Sequence, residues 1–304
     1  MAQRPLPPIA TPPDTVARDT VAVIGLGGMG SRIARRFLDH GHPVTVWNRS
    51  PGRAEALAEH GAMLAESPAD ATRRASVVVT MVADPLALRA VTEGPDGIVA
   101  GAEPPTTVLE MSTVGPEAIS RLRSILPQDV ELLDTPVLGS LTEAENGSLQ
   151  IFVGGEASLA SKVDPMLSEL GTTTHVGPLG AGAAAKLVAN LSLFGVLGVL
   201  GEAVALGRGV GLSDGAIFDV LATTPVAVQA QRRRSSIEQN DYPTRFTLLL
   251  ARKDADLIAG AAAKFGGDLR LAEAARSWLA EAADDTPDLD YSAVLAFILR
   301  QRES

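Results

Sequence analysis

The sequence predicts an α/β doubly wound N-terminal domain and an all-α C-terminal domain, joined by a long interdomain helix. Three observations predict this. From Thr20 to Gly177 short β-rich runs alternate with helical patterns. After Gly182 the strand signals stop, and Ala/Leu-rich helical patterns continue almost to the end. At the join, residues 180–201 read GAGAAAKLVANLSLFGVLGVLG, a small and apolar stretch interrupted by Lys186 and Asn190. A length of 304 residues suits about two domains. The expected division is a disordered Pro-rich tail over 1–18, an α/β domain over 19–179 and a helical domain over 180–304.

The β-rich runs are TVAVIGLG (20–27), PVTVWNR (43–49), SVVVTMV (76–82), TTVLEMST (106–113), VELLDTPV (130–137), LQIFVGG (149–155) and TTTHVG (172–177). Continuous Val/Ile runs fit strands buried on both faces, as in a parallel sheet flanked by helices. Between the first two runs, MGSRIARRFLDHG places Met29, Ile33 and Phe37 on one helical face, with Gly41 as a stop. Helices are expected over 183–210, 213–221, 225–239, 246–265, 269–283 and 290–302. Leu187–Leu200 falls short of the roughly 18–20 residues that span a bilayer, and Asn190 interrupts it. A buried helix is therefore expected, with no membrane partner. A helix apolar on all faces must be wrapped by protein. Its own small domain leaves part of it over, so a homodimer through this helix is expected.

Composition excludes several function classes. A net charge of −10 argues against nucleic acid, whose phosphates need basic patches. The chain has no cysteine, which removes disulfides and thiolate metal sites. Its four histidines, His40, His42, His60 and His175, show no metal-ligand spacing. The start, MAQRPLPPIATPPDT, lacks the apolar run of a secretory signal, so a cytoplasmic location is expected.

The motif VAVIGLGGMG carries the first chemistry. Gly25, Gly27 and Gly30 fall in G-x-G-x-x-G spacing after a strand and at the opening of a helix, the context of a Rossmann-type dinucleotide site. The first glycine permits the turn, the second lets backbone approach a pyrophosphate, and the third lets helix and strand pack closely. Leu26, Gly28 and Met29 complete the loop. A site for NAD usually ends its second strand in Asp or Glu, which holds the ribose 2′-hydroxyl. Here Asn48, Arg49 and Ser50 occupy that place, and no acid precedes Glu55. A guanidinium and neutral hydrogen-bonding groups suit a 2′-phosphate, so NADPH is the expected cofactor, with Arg53 as a further contact.

Carbonyl reduction by such a cofactor asks for one proton donor near the nicotinamide. The chain resembles the β-hydroxyacid dehydrogenase family over nearly all its length after the tail. Four motifs match in order: GLGGMG (25–30), DTPVLGS (134–140), GAGAAAKLVAN (180–190) and RKDADL (252–257), with EMSTV (110–114) between the first two. The resemblance implies that Lys186 is the proton donor and that Asn190, on the same helical face, helps hold Lys186 or substrate. It implies that Ser112 and the backbone around Gly139 and Ser140 bind a substrate carboxylate. It places Thr113 and Lys253 on the cofactor side, and Met81 and Val82 against the nicotinamide ribose. The glyoxylate/succinic semialdehyde reductases are the most similar subgroup, through VWNRS, MSTV, Phe246 and DLDYSAV (288–294).

The departures are specific. Leu138 stands where the family usually has Ser, and Ala189 where the first Asn of a pair is usual. Leu249, Ala251 and Arg252 replace more polar residues. These make the pocket more apolar than a small hydroxyacid needs. Lys253 has a second reading, pairing with Asp254 or Asp256 on an exposed face. Arg232, Arg233 and Arg234 read as a solvated face or a subunit contact. Two further functions stay open: an imine reductase, and a non-catalytic NADPH-binding protein on the same scaffold.

Overall fold

The computed structural model describes residues 18–300. The tail expected over 1–18 therefore lies outside the described residues except for Arg18, whose guanidinium pairs with Glu169 at 2.8 Å.

The first strands are β1 (Val21–Ile24), β2 (Val44–Trp47), β3 (Met63–Leu64), β4 (Val77–Thr80), β5 (Thr107–Glu110) and β6 (Glu131–Asp134). They run parallel in the order β3-β2-β1-β4-β5-β6. Helices cover both faces. On one side α1 (Gly28–Asp39) and α2 (Gly52–Ala58) bury Ile33, Phe37 and Leu57 against Val21, Val23 and Val46. On the other α3 (Pro68–Arg73), α4 (Pro85–Thr92), α5 (Ile98–Gly101) and α6 (Gly115–Ile125) cover Ile24, Val78 and Val108. This is the expected doubly wound arrangement, with β3 as a two-residue edge strand that the sequence reading missed.

The far edge departs from a parallel sheet. The run 130–137 is not one strand. Pro136, which has no N–H to give a ladder, separates β6 from β7 (Val137–Leu138). The short helix α7 (Leu141–Asn146) ends at Gly147 in a left-handed conformation. So short a connection cannot make a parallel crossover, which needs a dozen or more residues. The chain folds straight back, and β8 (Leu149–Gly154) pairs antiparallel with both β6 and β7. After α8 (Ala157–Leu167), β9 (Gly171–Gly177) adds parallel to β8 at the outer edge. It is largely exposed, not buried on both faces, and its residues are mainly threonine and glycine.

The helix α9 runs from Ala181 to Gly209 and leaves the sheet for the helical domain. There it packs against α10 (Asp214–Leu221), α11 (Ala227–Gln239), α12 (Leu248–Phe265), α13 (Arg270–Asp285) and α14 (Val294–Arg300). A short 3-10 turn, Tyr291–Ala293, opens the last of these, and residues 301–302 of the expected helix lie outside the described residues. Leu187, Phe194, Leu197, Leu200 and Val204 enter the core. Gly198 lets the Trp278 ring approach: a Cβ there would lie 2.4 Å from it. The helix is long and apolar enough to cross a membrane by length and composition, yet half of that window is buried inside the protein. Its exposed large apolar residues, continued by the C-cap Val210, form a stripe: Val188, Val199, Leu206 and Val210 are 68, 45, 60 and 68% exposed. Their spacings of 11, 7 and 4 place them on one helical face.

Candidate active site

The glycine loop is built by steric exclusion. Gly25 has φ +95°, and a Cβ on it would lie 2.3 Å from the Met81 carbonyl oxygen. A Cβ on Gly30 would lie 2.0 Å from the Gly25 carbonyl oxygen, so α1 can press this closely on β1 only with glycine. Gly27 instead faces open space, with the Arg53 guanidinium 4.0 Å from its Cβ position. The first turn of α1 carries no acid, and Gly27 gives it no side-chain cap. Its N–H groups and dipole are thus presented at an open, glycine-lined surface, which fits a pyrophosphate. Gly28 is exposed there and Met29 half-buried.

The neighbouring residues divide into two groups. The Leu26 side chain is buried, so only its backbone belongs to the loop. Asn48 does not present a free amide to a phosphate. Its Oδ1 accepts the Leu26 N–H at 2.9 Å and its Nδ2 donates to the Ser50 carbonyl at 2.8 Å. It ties the glycine loop to the end of β2. Arg49 and Ser50 are exposed beyond that strand. Arg53 reaches back to donate to the Leu26 carbonyl at 3.0 Å.

Met81 and Val82 follow β4 directly and lie half-buried beside Gly25. Ser112 differs from expectation. It is 2% exposed, its hydroxyl accepts the Val82 N–H at 2.9 Å, and its own N–H donates to Glu110. It joins the ends of β4 and β5 and leaves no hydroxyl facing a ligand. Glu110 is wholly buried and its pKa is pushed up to about 8, mainly by desolvation. A neutral acid there avoids placing two anions in register, because Glu110 sits opposite Asp134 on β6.

Asp134 explains the glycines of the 180–190 motif. Its Oδ1 accepts the Gly180 N–H at 2.8 Å and its Oδ2 accepts the Ala183 N–H at 2.6 Å, so this strand-end carboxylate caps α9 from across the domain junction. Gly180 has φ +93°, and a Cβ on Gly182 would lie 2.5 Å from the Asp134 carbonyl oxygen. Burial raises the Asp134 pKa, and the helix amides pull against it.

The helix starts at Ala181, which puts Lys186 in its second turn. Lys186 is half-buried, and burial pushes its pKa down to about 8; Asp254 opposes that shift and Lys253 adds to it. Asn190 lies deeper than expected. It is 2% exposed and donates to Asp254 Oδ2 at 2.7 Å. Asp254 is also 2% exposed, which corrects its assignment to an outer face. Burial raises its pKa, while the ammonium groups of Lys253 and Lys186 lower it. Lys253 contacts Asp254 and also donates to the Thr113 carbonyl at 2.5 Å, pinning α12 to the end of β5. Lys186, Asn190, Lys253 and Asp254 therefore form one charge-coupled cluster at the domain junction.

Leu138 is half-buried, and Gly139, with φ +149°, is exposed. Ser140 spends its N–H on Glu143 Oε2 at 2.7 Å, and its hydroxyl contacts the same oxygen. A separate groove of about 720 Å³, bounded by Leu86, Val114, Leu257 and Ala261, takes in Asp256 but none of Lys186, Asn190, Lys253 and Asp254.

Comparisons with known proteins agree with this geometry. Residues 20–177 match the model of the NAD-binding domain of 6-phosphogluconate dehydrogenase. Residues 180–298 match that described as NAD-binding of NADP-dependent 3-hydroxyisobutyrate dehydrogenase. Glyoxylate/succinic semialdehyde reductase 1 of Arabidopsis thaliana is 29% identical over 290 residues, covering 93% of this chain and 99% of that one. The solved structure of Mycobacterium tuberculosis 3-hydroxyisobutyrate dehydrogenase with L-serine has a TM-score of 0.85 at 29% identity, covering 92% of this chain and 99% of that one. An imine reductase from Myxococcus stipitatus in complex with NADP+ shares the fold, with a TM-score of 0.62 at 23% identity, covering 92% of this chain and 99% of that one. A glycine loop shaped for a dinucleotide, a lysine on the interdomain helix facing a Lys253–Asp254 pair on α12, and family matches across both domains lead to one conclusion: the chain belongs to the NAD(P)-dependent β-hydroxyacid dehydrogenases, a family of oxidoreductases.

Proposed function

We propose that this protein is an NADPH-dependent reductase of small carbonyl compounds, with Lys186 as the proton donor. The observation that carries the reading is the Lys186 ammonium, half-buried at the domain junction with its pKa brought down to about 8. Bound NADPH would supply the hydride to the carbonyl carbon. Lys186 neutralises the charge that develops on the carbonyl oxygen by giving it a proton, and the alcohol results. The neutral amine left behind suits its half-buried site, and solvent can restore the proton. Asn190 acts at one remove, holding the Asp254 carboxylate that keeps Lys186 from losing its proton too early. Ser112 serves the same site as a brace between β4 and β5. The name of the Arabidopsis relative supports reduction of aldehydes as the direction.

The reading of NADPH over NADH rests on Arg49 and Ser50, exposed beyond β2 with no acid beside them. Replacing Arg49 with alanine is expected to raise KM for NADPH by about ten- to a hundredfold, the size of one lost charge-assisted phosphate contact, and to leave NADH kinetics in place. Steady-state rates with both cofactors check this. An equal effect on both would remove the 2′-phosphate role.

The exposed valine and leucine stripe of α9 supports a homodimer, since a second copy of the same helix can cover it. Sedimentation is expected to show a dimer, and a monodisperse monomer would refute it.

Imines form a second reading, favoured by Leu138 in place of a hydroxyl and by the apolar Leu249. NADPH oxidation by the purified protein against glyoxylate, succinic semialdehyde, larger oxo acids and cyclic imines decides. Turnover of carbonyls supports the reductase, and turnover of imines alone selects the second reading. Tight NADPH binding with no turnover makes the chain a non-catalytic binding protein.

A further inference from the structure

The segment Leu138–Leu141 runs between the glycine loop and the helix that carries Lys186. On one side, the methyl groups of Leu141 come to 3.0 Å of the Cβ position of Gly28, at the N-terminus of α1. On the other, β7 packs against α9, the helix of Lys186. A carboxylate held here would need N–H and O–H donors, and three are missing from this loop. Position 138 is leucine, without a hydroxyl. The Ser140 N–H is given to Glu143 Oε2 at 2.7 Å, and the Ser140 hydroxyl contacts the same oxygen. Glu143 follows within the first turn of α7, so it reaches back onto the loop from a fixed place.

The charge on Glu143 is secure. The hydroxyl and N–H of Ser140 hold its pKa below the usual glutamate range, and the Arg232 guanidinium from α11 adds to this. At neutral pH the loop therefore carries its own bound anion. A second carboxylate brought to the same donors would find them engaged and would face a like charge. Arg233, the next residue of α11, is committed elsewhere. It donates to Ser292 Oγ at 3.1 Å and to the Tyr291 hydroxyl at 2.6 Å, and its guanidinium lies 3.8 Å from Asp290.

We propose that Glu143 is a specificity-determining residue: it fills the anion-binding donors of the substrate loop with its own carboxylate. The preferred substrate is then an aldehyde or ketone with no carboxylate beside the reacting carbon. This rests on the reading of Lys186 as the centre of carbonyl reduction, and it narrows that reading from small carbonyl compounds in general to those without a carboxylate beside the carbonyl.

Matched pairs test it. NADPH oxidation by the full-length protein is measured with glyoxylate against methyl glyoxylate, and with succinic semialdehyde against its methyl ester. The expected kcat/KM favours the ester about tenfold or more in the first pair, chiefly through KM, and less in the second, where the carboxylate is further from the carbonyl. Glu143→Gln keeps the side chain's size and an acceptor oxygen for Ser140. It is expected to shift the glyoxylate-to-ester ratio about tenfold toward the acid while ester turnover persists. Glu143→Ala, which also frees both Ser140 donors, is expected to shift it further. A merely structural role for Glu143 would lower both members of a pair together. Wild-type preference for glyoxylate, or a ratio that neither variant moves, overturns the proposal and leaves carbonyl reduction standing. If no member of either pair is reduced, carbonyl reduction fails and this inference fails with it.

Discussion

Replacing Lys186 with methionine is expected to reduce kcat for carbonyl reduction by about 10²–10⁴-fold, the usual worth of a positioned general acid, with NADPH binding intact. Methionine keeps much of the length of lysine and removes the amino group, and with it the acidic proton and the charge. The same substitution is expected to leave the fold as stable or more so, because the ammonium of Lys186 is partly desolvated in the native state. The pH dependence fixes the sign. The lysine pKa is lowered from 10.5 to about 8, so the acid form prevails below about 8 and is lost above it. Wild-type kcat should therefore fall as pH rises through about 8, and the residual rate of the variant should show no such step. Stability gives a second reading of the same group. Below pH 8 the lysine is charged in both folded and unfolded chains, and the native state carries the cost of burying it. Between about 8 and 10.5 that cost fades, so wild type gains on the variant as pH rises. Pre-steady-state reduction and thermal melts across that range provide both checks. Carbonyl turnover that survives the substitution would end the proton-donor role.

The parts of this site that sequence reading reached are those fixed by backbone geometry. Gly25 is required by its φ of +95° in the turn and Gly30 by a contact of 2.0 Å within the same βα unit, so their spacing alone announces them. The same is true of α9, whose small residues are legible as a helix that neighbours approach closely. What sequence reading misplaced was side-chain commitment. Asn48 and Ser112 carry the right chemistry for ligands, yet each spends it on a backbone group 22 or 30 residues away. Nothing local reveals such a bond, because the sheet register creates it. Asp254 had a signal that went unused. The buried face of α12 runs through Leu248, Ala251, Ala255, Ile258 and Ala262. Residue 254 falls on that face, three positions after Ala251 and four before Ile258. A carboxylate inside an apolar stripe calls for a cationic partner, and Lys186 and Lys253 are there. The antiparallel return of β7 and β8 was likewise foreshadowed by Pro136 and by the few residues between the two strands.

Replacing Asp134 with alanine should be the most damaging single change outside the reacting groups, costing about 2–4 kcal/mol. Two effects oppose each other. Removing a buried carboxylate recovers its own desolvation, the dominant influence on its pKa. Against that, the N–H groups of Gly180 and Ala183 lose the acceptor that now meets them at 2.8 and 2.6 Å. Hydrogen bonds to a charged group contribute roughly 1.5–3 kcal/mol each, and a buried donor left without a partner costs about 1–3 kcal/mol. The loss wins because alanine offers no acceptor, and the backbone carbonyls of Asp134 and Phe152 still close on Gly182, at 2.5 and 2.6 Å from its Cβ position. At roughly 2–4 °C per kcal/mol for a domain of 150–250 residues, the apparent Tm should fall by about 5–15 °C. Asparagine keeps one acceptor oxygen and should fall between the two. The consequence reaches the chemistry, since the end of α9 that Asp134 holds places Lys186 one turn further along. In Asp134→Asn, kcat should therefore drop more than KM for NADPH rises, because the glycine loop of the cofactor site lies on a different strand. Melts followed by circular dichroism, with kinetics below the transition, separate the two effects. An unchanged melting temperature would mean that the start of this helix is held by other contacts, and the link from strand β6 to the proton donor would have to be abandoned.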